Sequence, residues 1–222
     1  MRHGVIISEE IRLVDKPVGF SSFQLVRLLQ RTHDKVGHAG TLDPFASGLI
    51  IMMFDRATKE FRHFELCDKE YIGEIMLGMV TDTLDITGQV VTQSNNIPIF
   101  SIDEVQKKAD SFVGEIDQIP PDYSALKIQG KRSYVLSRQG KKISPVPRRV
   151  LVKELIITDL SGRIVRFRTV VGKGVYIRSL ANDLGARLGC GGTLISLRRT
   201  RIGNYLIDDA DDLGTLLMDS EK

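Results

Sequence analysis

The stretch from Val150 to Val171 limits what this chain can fold into more than any other. Val150 to Thr158 and Arg163 to Val171 are two strand-length runs separated by Ser161-Gly162, a turn signal. The second run alternates, with Ile164, Arg166 and Arg168 against Val165, Phe167 and Thr169, which is the period of a strand with one face covered. A long antiparallel hairpin is predicted. A helix follows, carrying Ile177, Leu180, Ala181, Leu184 and Leu188 on one side and ended by Gly189.

The rest of the chain adds smaller elements of both kinds. Ser101-Ile102-Asp103-Glu104 is a capping box whose apolar stripe continues through Val105, Ala109 and Phe112. Ile11 to Val14 reads as a short strand, and Ser21 or Ser22 caps a helix running to about Arg31. Residues 35–48, punctuated by Gly and Pro, read as a loop. Leu49 to Phe54 is a buried strand, Ala57 to Leu66 a helix, Lys69 to Met79 a strand, and Thr193 to Leu206 one or two strands. Hairpins interleaved with helices predict an α+β fold with a mostly antiparallel sheet.

At 222 residues the chain is long enough for a proper core and is read as one elaborated domain over residues 1–210 with an acidic tail over 211–222. Cys67 and Cys190 form no CxxC pattern, and the longest apolar run is Leu49 to Phe54, too short to span a bilayer. With no apolar signal core after Met1, the expectation is a cytoplasmic monomer without membrane contact.

Charge is unevenly placed. Residues 1–120 carry 12 Lys/Arg against 18 Asp/Glu, whereas residues 121–205 carry 18 against 4, a local net of +14. Such a patch is the footprint of a nucleic-acid binder, because phosphate neutralisation dominates that affinity. Charge alone does not separate RNA from DNA, and a solvated basic face is the plainer reading.

Gly37-His38-Ala39-Gly40-Thr41-Leu42-Asp43-Pro44 is the most informative stretch for function. Two glycines and a proline tighten an irregular loop that holds a carboxylate and an imidazole, anchored by the strand that follows. From the residues alone, Asp before Pro is also a common turn residue.

Three ordered stretches resemble the TruB family of tRNA pseudouridine synthases. The first is Val14-Asp15-Lys16-Pro17-Val18-Gly19-Phe20-Ser21-Ser22, followed by Val36 through Gly48 with its GHAGTLDP core. The second is Ala57-Thr58-Lys59, Lys69-Glu70-Tyr71 and Leu77-Gly78, ending in Thr81-Asp82-Thr83-Leu84-Asp85-Ile86-Thr87-Gly88. The third includes Pro120-Pro121, Tyr123-Ser124-Ala125-Leu126-Lys127, Pro147-Arg148-Arg149-Val150, Tyr176-Ile177-Arg178-Ser179-Leu180 and Leu197-Arg198-Arg199-Thr200-Arg201.

The resemblance implies a mixed, mostly antiparallel sheet flanked by helices, with an active-site cleft across the sheet. It implies isomerisation of uridine to pseudouridine in the T loop of tRNA, at position 55, without cofactor or metal. Asp43 is then the nucleophile, with two points of attack open to it, the ribose C1′ and the pyrimidine ring. Arg178 matches the family's arginine near that aspartate, and Tyr71 the aromatic residue packed on the target base. His38 is expected to contact the flipped-out arrangement, Asp85 to position Tyr71 and Arg178, and Leu197 to wall the uracil, with Tyr176 also at the substrate. Lys141 and Lys142, within a basic run from Lys127 to Arg149, are expected to grip tRNA phosphates. Arg198, Arg199 and Arg201 are expected to add to that surface, although strand alternation puts Arg198 opposite the other two.

Two features depart from the family pattern. Val171-Gly172-Lys173-Gly174-Val175 replaces the usual Cys-Ser-Lys-Gly-Thr, and the sequence is expected to lack the C-terminal RNA-binding (PUA) domain of bacterial relatives. A binding-only chaperone of the tRNA elbow is the rival reading, and retention of Asp43, Tyr71 and Arg178 argues against it.

Overall fold

The computed structural model describes residues 6–8, 10–30, 33–123, 127–128, 131–132 and 146–215. The chain divides into two compact units, residues 1–72, 170–173 and 196–222, and residues 73–169 and 174–195. The division falls within the strands Lys69–Leu77, Ile164–Val171 and Gly192–Ile202 rather than at a linker. The fold is α+β, and its strands pair mostly antiparallel, as predicted.

The first unit is built on the strand Ser47–Phe54, which explains its unbroken apolar sequence. Leu49, Ile51 and Met53 pack into one cluster with Ile11, Leu13 and Ile202, while Ile50, Met52 and Phe54 pack into another with Val14, Leu25 and Leu29. A strand covered on both faces has no reason to alternate. The strand Ile11–Lys16 pairs with it antiparallel, Asp15 opposite Leu49. The helix Ser22–Leu29 starts at Ser21, whose hydroxyl and the Gln24 side chain form a reciprocal cap. Asp211–Asp212, the start of the acidic stretch, pairs parallel to Val14 and Asp15.

Three boundaries differ from the prediction. Within the expected 35–48 loop, Val36–Ala39 is a strand, paired antiparallel to Phe54 through Ile51. Gly37 hid it, yet pairing to so strongly apolar a partner overrides a weak local propensity. The expected helix 57–66 is a 3₁₀ segment Asp55–Glu60 followed by the helix Phe61–Leu66. The strand expected to reach Met79 breaks at Gly78, where φ is +81° and an added Cβ would meet Ile97 at 2.8 Å.

In the second unit the predicted hairpin is present as Arg148–Ser161 and Ile164–Val171. Gly114–Gln118 pairs along the first of these, Arg148 opposite Gln118. The helix Ile102–Ala109 carries the predicted Ser101–Glu104 capping box. Its Gln106 side chain donates to Leu155 O and accepts from Ile157 N, fastening helix to strand. The helix Ile177–Arg187 buries the predicted face and ends before Gly189, at φ +80°. No described helix is long and apolar enough to cross a membrane.

Candidate active site

In the first unit, the loop 40–46 joins the strands Val36–Ala39 and Ser47–Phe54 and carries Asp43. It is fastened through its backbone. The buried Ser22 hydroxyl donates to Leu42 O at 3.2 Å and accepts from Leu42 N at 2.9 Å. Gly19 N donates to Pro44 O at 2.8 Å, and Ala46 N to Asp43 O at 3.1 Å. Asp43 itself is half-buried.

Two buried cations surround this loop. Lys16 is 0% exposed, and its Nζ donates to Pro17 O at 2.9 Å and Phe20 O at 2.7 Å. Burial lowers its pKa to about 8, with the Asp43 and Asp15 carboxylates opposing the shift and Arg199 adding to it. Arg199 is 1% exposed and donates to Leu49 O at 2.7 Å, Gly40 O at 2.9 Å and the Tyr71 hydroxyl at 3.4 Å.

Arg199 is therefore not part of an RNA-facing surface, which corrects the sequence expectation. Its donors are spent on the protein interior. Its neighbours are also engaged, Arg198 bonded to both oxygens of Asp15 at 3.0 and 2.6 Å and Arg201 paired with Glu70 at 3.7 Å. A signal for Arg199 was available, since alternation sets it on the same side of its strand as Leu197, which is buried. Lys16 gave no such signal, because its acceptors are backbone carbonyls.

Tyr71 is buried on the strand Lys69–Leu77, with the Arg199 Cζ 5.9 Å from its ring centroid. His38 sits on its strand opposite Met52, and its Nδ1 is buried with no hydrogen-bond partner among the described residues. Burial, with Arg199 adding to it, lowers its pKa to about 4, so the imidazole is neutral at pH 7.

In the second unit, Asp85 and Arg178 come together, Nη1 to Oδ2 at 3.4 Å. Asp85 is 4% exposed, and its Oδ1 accepts from the Thr83 hydroxyl at 2.9 Å and from the N–H and hydroxyl of Thr87 at 2.9 and 2.5 Å. Gly88 completes the turn, because a Cβ there would lie 2.4 Å from the Thr83 hydroxyl. Leu84, at φ +62°, accepts from Leu194 N at 3.2 Å, and Ile86 N donates to Leu194 O at 3.0 Å, docking the turn. The Arg178 guanidinium also donates to Thr83 O at 2.8 Å and Tyr123 O at 2.9 Å.

Tyr176 precedes the Arg178 helix, and its backbone is clasped by the Gln118 side chain, which accepts from its N–H at 2.7 Å and donates to its carbonyl at 3.1 Å. Lys141 and Lys142 lie outside the described residues. Among the described residues, no group of three or more His, Cys, Asp or Glu is placed to hold a metal ion.

Comparison with known proteins gives a consistent result. Residues 27–177 match the TruB family pseudouridylate synthase (N terminal domain), and residues 178–219 match the tRNA pseudouridylate synthase B C-terminal domain. The chain is 45% identical over 207 residues to tRNA pseudouridine synthase B of Protochlamydia amoebophila, covering 90% of this chain and 77% of that protein. It is 44% identical over 216 residues to the protein of the same name from Chlamydia pneumoniae, covering 96% and 90%. Among solved structures it resembles a chain of a Cbf5–Nop10–Gar1 complex, with a TM-score of 0.73, 28% identity, and coverage of 94% of this chain and 54% of that one. A chain of the archaeal box H/ACA Nop10–Cbf5 complex gives 0.69 and 28%, covering 97% and 55%. The chain thus spans about half the length of those two solved chains.

Proposed function

This chain belongs to the TruB family of pseudouridylate synthases, and on that premise we propose that it isomerises uridine to pseudouridine in the tRNA T loop, at position 55, with Asp43 as nucleophile. The reaction breaks the N1–C1′ bond, turns the uracil, and forms a C5–C1′ bond, with C5 losing a proton and N1 taking one up. Atoms and oxidation state balance without a redox partner. A carboxylate suits the cleavage step, as in covalent glycoside chemistry.

The observation that carries this reading is the fastening of the Asp43 loop. A nucleophile has to be both reachable and fixed, because a displacement of about 1 Å can cost about 100-fold in rate. Asp43 is half-buried, while the backbone on both sides of it is tied to Ser22 and Gly19. Tyr71, Leu197 and the neutral His38 are assigned to the target base and the RNA around it, and Arg178 to the cationic part of the chemistry. The tRNA T stem-loop is the proposed partner, gripped in part by Lys141 and Lys142.

The test is tritium release from tRNA transcript labelled at uracil C5, run with wild type and Asp43→Asn. Release by wild type alone, with the product mapping to the T loop, is the expected result. A folded wild type that binds tRNA and releases nothing sinks the reading in favour of a binding-only role.

A further inference from the structure

Gly40 and Gly48 bracket the Asp43 loop, and both are left-handed, at φ +74° and +106°. Both also face one residue. A Cβ on Gly40 would lie 3.1 Å from Nη1 of Arg199, and one on Gly48 would lie 2.3 Å from the carbonyl oxygen of Arg199 and 2.6 Å from its amide nitrogen. The close approach at Gly48 belongs to the parallel pairing of Arg199 with that residue. It puts the guanidinium where it can donate to Gly40 O and Leu49 O, the carbonyls on either side of the loop's mouth. Its remaining terminal nitrogen reaches the Tyr71 hydroxyl.

We propose that Arg199 is a positioning residue for the isomerisation, closing the mouth of the Asp43 loop and fixing the Tyr71 hydroxyl against it with one planar cation. The proposal rests on the reading of Asp43 as nucleophile. A guanidinium presents its donors in a rigid fork, so three acceptors bound to it are held at set spacings. Since the Tyr71 oxygen accepts from Arg199, its own proton is directed elsewhere. Lysine at this position keeps the charge and loses the fork. It can satisfy one or two of the three acceptors, leaving another buried and unpaired.

Arg199→Lys therefore separates charge from geometry. The measurement is single-turnover tritium release at saturating tRNA, with tRNA affinity and circular dichroism taken on the same samples. Arg199→Lys is expected to stay folded, bind tRNA within about twofold of wild type, and lose at least about tenfold in rate. Because part of its action passes through the Tyr71 hydroxyl, the additional loss is expected to shrink to about threefold or less in a Tyr71→Phe background.

A rate within about twofold of wild type overturns the proposal, as does a loss seen only in tRNA affinity. Equal losses in the two backgrounds also overturn it, because the hydroxyl is then not the path. A variant that fails to fold overturns it too, by making Arg199 a part of the fold rather than of the reaction. Wild type run in parallel keeps the two readings apart: silence from wild type sinks the proposed function, whereas equal release by wild type and Arg199→Lys sinks only this inference.

Discussion

Asp43 and Asp85 are both carboxylates on tight turns, and the two turns hold them differently. Asp85 is 4% exposed, with one oxygen taking three hydrogen bonds from Thr83 and Thr87 and the other facing Arg178. Around Asp43 the fastenings fall on the backbone, at Leu42, Pro44 and the Asp43 carbonyl, and the side chain is half-buried. A carboxylate so fully bonded is a strut that keeps its turn and its arginine in place. One carried on a fixed backbone, with its side chain still reachable, fits the nucleophile's part in the proposed reaction. Aspartate on a glycine-rich turn describes both, and the difference in burial of the two side chains tells them apart.

The sharpest way to break this contrast is the same substitution at both sites. Asp43→Asn is expected to lower tritium release by at least about 1000-fold and to cost less unfolding free energy than the same change at Asp85. Asp85→Asn is expected to cost about 3 kcal/mol in urea unfolding, because it removes the charge opposite a buried arginine and turns one acceptor into a donor. Comparable stability losses at the two positions would show that Asp43 is a strut as well.

Sequence pattern made both turns of this contrast visible and showed less of what surrounds them. The Asp43 loop and the Thr81–Gly88 turn were both legible as motifs, as were the Ser101 cap, the hairpin and the Gly189 helix stop. What pattern showed poorly was the set of buried cations, of which only Arg199 carried a signal, its alternation with the buried Leu197. Lys16, Lys69 and Arg199 find their acceptors among backbone carbonyls, which every residue possesses and no residue type announces. Of the three, Arg199 accordingly read as RNA-facing. Val36–Ala39 escaped for a related reason: what makes it a strand is the partner Ser47–Phe54, which lies later in the chain.

A smaller effect probes the fastening itself. Ser22→Ala removes a buried hydroxyl that serves both the N–H and the carbonyl of Leu42. Leaving that pair unmet is expected to cost about 2 kcal/mol in stability. If the fastening also serves the reaction, the single-turnover rate falls while tRNA affinity holds. Stability lost with the rate unchanged would mean that the loop does not need this tie to present Asp43.

The mildest effect at neutral pH belongs to His38. Burial and the Arg199 charge lower its pKa from 6.5 to about 4 in the folded protein. Between those values the unfolded chain takes up a proton at this imidazole and the folded chain does not. The unfolded state then binds more protons, so stability rises with pH across the window and is lost as pH falls from 6.5 toward 4. Wild type should accordingly weaken relative to His38→Gln over that range, with a constant difference above about pH 7.5. Urea unfolding of both proteins from pH 7.5 down to about 4.5, with an NMR titration of the imidazole, reads this directly. Parallel stability curves, or a native imidazole titrating near its ordinary value, would place His38 in solvent as a cation available to phosphate. A low value instead leaves it a neutral imidazole held so mainly by burial, with the Arg199 cation, which also ties the loop, adding to the shift.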